Sequence, residues 1–246
     1  MDILNLSDTT ESSVLKITAI KAGVKNENRA NIFVNDEFAF SLDIAQIVDF
    51  HLKVGKQISQ AEFVELQHAS EFGKLYQATL EWVLMKPRSI RETKDYLCRK
   101  LSKRKSENKL RAQNKQRSKE ERDKYHLKTK PLPLFSEQDI EQVISRLLEK
   151  KYLDDEKFVQ TYIENRNATK GTSLKKLRQE LFKKGISNEL IEEAFVISDR
   201  NDQAELEKII AKKKHKYSDP DKLKAYLVRQ GFNYSDIEDV LKSFVI

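Results

Sequence analysis

Cysteine occurs once in the 246 residues, at Cys98, so no disulfide can close within the chain and a reducing compartment is expected. Cys98 adjoins Leu97 in a helical pattern, and core packing is the expected role of its thiol rather than reactivity. Six glycines and four prolines are too few for the many turns of a strand-rich fold, which leaves long helices. No apolar run approaches the roughly 20 residues that cross a bilayer. The opening stretch, MDILNLSDTTESS, carries acids where a secretory signal needs positive charge, so a cytoplasmic protein is expected. His51, His68, His126 and His215 stand apart, with no partner at metal-ligand spacing. There is no G-x-x-x-x-G-K phosphate loop and no G-x-S-x-G elbow. No catalytic residue, metal or cofactor is expected. The acids Asp154-Asp155-Glu156 precede a helical pattern, where carboxylates cap the positive helix end, rather than forming a nuclease centre.

Charge is plentiful, at 35% of residues, with a formal net of +7 that points to an acidic partner such as nucleic acid or a nucleoprotein. The excess is localised. Residues 102–134 hold twelve lysines and arginines against four acids, so the rest of the chain nets minus one. Apolar residues are too sparse there for a core, and Pro131-Leu132-Pro133 ends the segment as a stiff linker. It reads as an extended helical hairpin arm or a mobile charged loop.

After a polar tail (1–13), residues 14–22 alternate apolar and polar as a half-buried strand does. RANIFV and EFAFSL follow, joined by Asn35 and Asp36, which tolerate the left-handed conformations of a tight hairpin. Residues 43–50 suit a short helix, and Gly55 lies in a connection. Ser59 and Glu62 form a capping box that opens a long helix, with Phe63, Leu66, Phe72, Leu75, Ala78, Trp82 and Val83 on one face and Pro87 beyond its end.

The rest is repetitive. Residues 173–195 recur at 219–241: Lys176, Leu177, Leu181, Gly185, Ile191 and Glu192 reappear as Lys222, Leu223, Leu227, Gly231, Ile237 and Glu238. Each copy begins with an N-cap, Ser173 or Asp219, and Pro220 takes the first helical position. Each first helix ends in a glycine suited to a left-handed C′ site, followed by a large apolar residue. Ser187 and Ser235 are the expected openers of the second helices. A third, interrupted copy starts at Ser89 and Glu92 with Leu97, and resumes at Ile140, Glu141 and Ile144, with 102–134 inserted between. Helical segments at 75–86, 156–168 and 203–214 complete three three-helix units, which stabilise one another by stacking.

The expected fold is mainly α: a small N-terminal antiparallel sheet, then three tandem three-helix repeats in an elongated, curved array. The expected division is 1–13 tail, 14–72 hairpin plus helices, 73–153 first repeat with its insertion, 154–200 second repeat and 201–246 third repeat.

Lys86-Pro87-Arg88-Ser89-Ile90-Arg91-Glu92 with Tyr96-Leu97 resembles the R-P-R-S-x-x-E…L signature of the bacterial RecX family. Lys151 to Phe158, KYLDDEKF, is similar to its G-Y-L-D-D-E-R-F segment, with lysine in place of the usual glycine. Lys170-Gly171, Leu177-Arg178-Gln179-Glu180-Leu181 and Lys184-Gly185-Ile186 resemble K-G…I-R-Q-E-L…K-G-I, and Arg229-Gln230-Gly231-Phe232 resembles R-R-G-F. The resemblance spans about residues 14–246, and the large basic insertion departs from the compact first repeat usual in the family. It implies a non-enzymatic monomeric regulator of recombination, repair and the SOS response. Such a protein lies in the groove of the RecA–single-stranded DNA filament and suppresses filament growth, ATP hydrolysis and strand exchange. The alternative is a general single-stranded nucleic-acid-binding protein that uses the basic insertion. Contact residues nominated for either role are Arg88, Lys170, Lys175, Arg178 and Arg229 beside the apolar seams, with Arg104, Arg111 and Arg117 on the arm.

Overall fold

A computed structural model describes residues 14–23, 26–125, 128, 135–217 and 219–243. The expected tail, together with His126 and Pro131-Leu132-Pro133, lies outside the described residues. The described residues fall into two compact units, one drawn from within 1–78 and 101–139 and the other from within 79–100 and 140–246.

In the first unit, β1 (Leu15–Ala22), β2 (Arg29–Val34), β3 (Glu37–Asp43) and the two-residue β4 (Gln57–Ile58) form an antiparallel sheet in the order β3-β2-β1-β4. The β2–β3 hairpin turns on Asn35 (φ 49°) and Asp36 (φ 66°), the left-handed pair a two-residue turn requires. Its register runs from Val34 opposite Glu37 to Arg29 opposite Asp43, where the Arg29 guanidinium holds the Asp43 carboxylate at 2.9 Å. Alternation buries Ile32, Val34, Phe40 and Leu42 on one face, with Ile17, Leu52, Ile58 and Leu66. Helix α1 (Ile44–Asp49) follows, capped by Asp43, whose N–H is in turn held by Gln46.

Helix α2 (Gln60–Leu84) opens with the Ser59–Glu62 box: the Glu62 N–H donates to Ser59 Oγ at 3.1 Å and the Ser59 N–H to Glu62 Oε2 at 2.7 Å. After Pro87, α3 (Ile90–Lys115) runs unbroken for 26 residues, roughly 39 Å at 1.5 Å per residue. The basic segment therefore begins as the outer half of α3. A turn at residues 116–118 leads to α4 (Lys119–Lys124), capped by Ser118. Of the two expected forms, this part takes the helical one. Within 102–115 no proline or glycine interrupts, and lysine, arginine, glutamate, glutamine and alanine all favour helix.

The second unit holds the repeats. Helices α6 (Asp155–Asn165), α7 (Leu174–Lys183) and α8 (Asn188–Ile197) form one, and α9 (Asp202–Lys213), α10 (Pro220–Arg229) and α11 (Tyr234–Ser243) the next. The ends of α7 and α8 map onto those of α10 and α11 with a constant displacement. Leu181 and Ile191 are fully buried in one core, and their counterparts Leu227 and Ile237 in the other. Each such side chain contributes about 1.5–3 kcal/mol by leaving water. The start of α3 and α5 (Glu137–Glu149) supply the earlier copy, with Leu97 fully buried.

Two expectations are corrected. Cys98 is exposed, because Leu97 points at the core and the next residue lies about 100° further round the helix. Ser235 lies inside α11, which begins at Tyr234; the residue in register with the Ser187 cap is Asn233, whose carbonyl accepts from the Ile237 N–H.

Candidate functional site

Successive repeats meet along seams built from the same bonds. At the first, Ser89 Oγ accepts from the Glu92 N–H at 3.1 Å, capping α3, and donates to the carbonyl of Lys184 at 2.7 Å. At the second, Ser173 Oγ accepts from the Lys176 N–H at 3.2 Å and donates to the carbonyl of Gln230 at 2.6 Å. Beside them the Ile90 N–H donates to Asp155 at 2.9 Å, and the Leu174 N–H to Asp202 at 2.8 Å. Burial raises the pKa of both aspartates, aided at Asp155 by the charges of Asp154 and Glu92 and at Asp202 by those of Asp236 and Glu205. Each seam leaves a cleft beside it.

The first cleft, about 270 Å³, is lined by Lys86, Arg88, Glu92, Phe158, Arg166 and Lys184, among others. Arg88 is held in a layered stack. Its guanidinium lies 3.9 Å over Trp82, Trp82 stacks on Tyr96 at 4.3 Å with planes 5° apart, and the Lys100 ammonium sits 5.1 Å from Tyr96. This fixes the guanidinium plane, and its buried Nε has no hydrogen-bond partner among the described residues. Lys184 is paired with Glu92 at 2.6 Å. Burial raises the Glu92 pKa, but bonds from Lys184 and the Ser89 N–H outweigh it and hold the carboxyl below its ordinary range. Arg166 grips Glu180 through two nitrogens at 2.8 and 3.0 Å. Burial and the bond to Glu180 push the Tyr162 hydroxyl up to about 12.

The other nominated residues are dispersed. Lys170 lines the cleft at the second seam; Lys175 is exposed beside Gly231, and Arg229 is exposed near the end of α10. Arg178 is spent on Glu192, at 2.7 and 3.0 Å, and on the ring of Phe195. In the first unit Arg104 clamps Glu71 at 2.7 Å and covers Phe135, Arg111 is half-buried, and Arg117 is exposed after α3. Exposed lysines Lys103, Lys105 and Lys109 flank Arg104 on the same helix.

Sequence reasoning missed Arg166, Lys176, Lys184, Lys212 and Lys213 as cleft residues. The signal was present in the repeat alignment, since residues equivalent between copies occupy equivalent seam positions. Among the described residues no group of three or more His, Cys, Asp or Glu could hold a metal ion, and no helix is long and apolar enough to cross a membrane.

Comparison with known proteins gives concordant results. Residues 15–59 match the family described as Regulatory protein RecX N-terminal domain, and residues 154–194 the one described as RecX, second three-helix domain. The chain is 30% identical over 233 residues to Regulatory protein RecX of Bacillus licheniformis, covering 92% of this chain and 76% of that one. It is 31% identical over 228 residues to Regulatory protein RecX of Bacillus subtilis, covering 90% and 74%. A crystal structure of regulatory protein RecX superposes with a TM-score of 0.61 at 17% identity, covering 93% of this chain and 99% of that one, which shows a shared fold.

Proposed function

The chain belongs to the RecX family of regulatory proteins, and on that premise we propose that it binds the RecA recombinase on single-stranded DNA and restrains it. In this reading it slows filament growth, ATP hydrolysis and strand exchange, acting in the cytoplasm and without chemistry of its own. The supporting observation is the seam. The Ser89–Lys184 and Ser173–Gln230 bonds join successive repeats in one way, and each seam presents cations beside a cleft. A surface that repeats its features at regular intervals suits a partner that also repeats, as a filament does.

The test is a titration of RecA's DNA-dependent ATPase with this protein at two concentrations of single-stranded DNA. Inhibition that persists in excess DNA, and below one copy per RecA subunit, is the expected result. Full rescue by excess DNA would replace the reading with simple competition for the strand.

A further inference from the structure

The two seam clefts are counterparts built to different charge. At the first, the third residue of the helix is Glu92 and the facing residue Lys184, and the two neutralise each other. At the second, the equivalent positions hold Lys176 and Gln230, which meet as ammonium and amide at 3.0 Å. This second cleft, about 480 Å³, is lined by Lys170, Lys176, Lys212 and Lys213 together with Asn167 and Tyr226, and no carboxylate lines it. Among the described residues, none of these four ammonium groups lies in an ion pair. Glu180, which feels the charge of Lys176, is committed to Arg166 and Tyr162.

The cleft's backbone is closely packed on its neighbours. Gly171 (φ 81°) packs so closely on α9 that a Cβ there would come within 2.5 Å of the Glu205 carbonyl. Lys212 reaches back to the Thr169 carbonyl, tying α9 to the turn that carries Lys170. The carbonyl end of α9 accounts for cations at Lys212 and Lys213, but not for Lys170 and Lys176 on other elements.

We infer that the cleft formed by Lys170, Lys176, Lys212 and Lys213 is a phosphate site that takes the backbone of a single-stranded nucleic acid directly. Unpaired like charges around one cavity repel, and an anion between them removes that repulsion. The donors are ammonium point charges with no guanidinium fork on this wall, an arrangement that accepts phosphodiester oxygens from several directions and lacks the planar match to a carboxylate. The counterpart cleft differs: Lys86 and Arg88 stand there beside the neutralised Glu92–Lys184 pair, so the second cleft is the stronger anion position of the two. The inference does not require RecA.

The experiment is fluorescence anisotropy of labelled oligothymidylate with the full chain, without RecA, over a range of salt. The variant K170Q/K212Q/K213Q is compared with K150Q/K222Q/K242Q, which removes equal charge from exposed sites elsewhere, and thermal unfolding confirms that both fold. The cleft variant is expected to bind about tenfold more weakly and to lose about 2 units of log–log salt slope, near 0.7 per phosphate contact, while the control stays close to the parent. Equal losses in both variants, or no loss in either, would overturn the site. So would polyglutamate binding that the cleft variant loses while its oligothymidylate binding is intact, since the cleft would then belong to an acidic protein.

Discussion

The hydroxyl of Ser173 lies 2.6 Å from the carbonyl of Gln230, and through it the cap of one repeat satisfies the last turn of the next. The same hydroxyl accepts from the Lys176 N–H, so one side chain serves two helix ends at once. Ser89 does this with Lys184 and Glu92. The N-cap preference that starts each helix is thereby also the fastening between repeats. It explains why the residue after each acceptor is glycine.

Gly185 (φ 83°) and Gly231 (φ 96°) hold the left-handed conformation, and each also lies against the preceding repeat. A Cβ at Gly231 would stand 2.8 Å from Ser173 Oγ, and one at Gly185 would stand 2.5 Å from the Arg91 Cβ. Alanine at either position is expected to cost about 1–3 kcal/mol, at or above a simple C′ glycine, because it strains the backbone and presses the seam apart. Urea unfolding of each variant measures this, and a loss below about 0.5 kcal/mol would contradict the packing.

Ser173→Ala and Ser89→Ala each remove a cap and a seam bond, and are expected to cost about 2 kcal/mol. Ser187→Ala removes a cap, the bond from the Leu190 N–H at 3.3 Å, and no seam bond, and should cost about 1 kcal/mol. Equal losses in all three would mean that the bonds to Lys184 and Gln230 carry no weight.

The repeats were legible because caps, glycines and buried leucines recur with one spacing, and Ser173, Asp219, Pro220, Gly185 and Gly231 all stand where that spacing puts them. Cys98 misled because adjacency to Leu97 says nothing about which way a helical side chain points; its counterparts Phe182 and Val228 are exposed too. Strand β4 was missed because two residues carry no period. The outer half of α3 left its form open because the apolar pattern stops at Leu101 while helix propensity does not. The clefts were hidden for a different reason. Glu92 and Lys184 are distant in sequence, and only the stacking of repeats brings them together.

The basic face of α3 contains two kinds of cation. Arg104 donates to Glu71, which Lys74 also holds at 2.7 Å; burial raises the Glu71 pKa, but the two cations outweigh it and keep the carboxyl low. Arg104→Gln is expected to destabilise the chain by about 1–2 kcal/mol, because it leaves a mostly buried carboxylate with one partner. Lys103→Gln, Lys105→Gln and Lys109→Gln should each change stability by less than about 0.5 kcal/mol. Urea midpoints for the four variants separate structural from surface charge, and a ranking with Arg104 no worse than the lysines would defeat the distinction.

Glu205 supplies a pH-dependent anchor for the third repeat. Its side chain is almost wholly buried and accepts from Arg200 at 2.7 and 3.0 Å, from Lys208 at 2.7 Å and from the Thr172 N–H at 2.8 Å. Burial alone would raise its pKa, but these bonds together hold it below the ordinary glutamate value of 4.5. A carboxyl depressed in the folded state stabilises fully above its unfolded pKa and loses that contribution as pH falls through the folded one, since the unfolded chain binds the proton first. The stability gap between the parent and Glu205→Gln should therefore be widest near neutrality and narrow below pH 4.5. Asp155 and Asp202 are shifted the other way; Asp155 cancels in the difference, whereas Asp202, raised mainly by burial and further by the Glu205 charge, loses that further part in the variant and offsets a share of the narrowing. Arg200→Ala, which also frees the carbonyls of Ile163 and Arg166, should cost roughly 3 kcal/mol at neutral pH. Chemical unfolding at several pH values provides the comparison. A gap that stays constant, or widens in acid, would show that the ionised carboxylate is not what holds Thr172, and with it the turn beside Lys170, against α9.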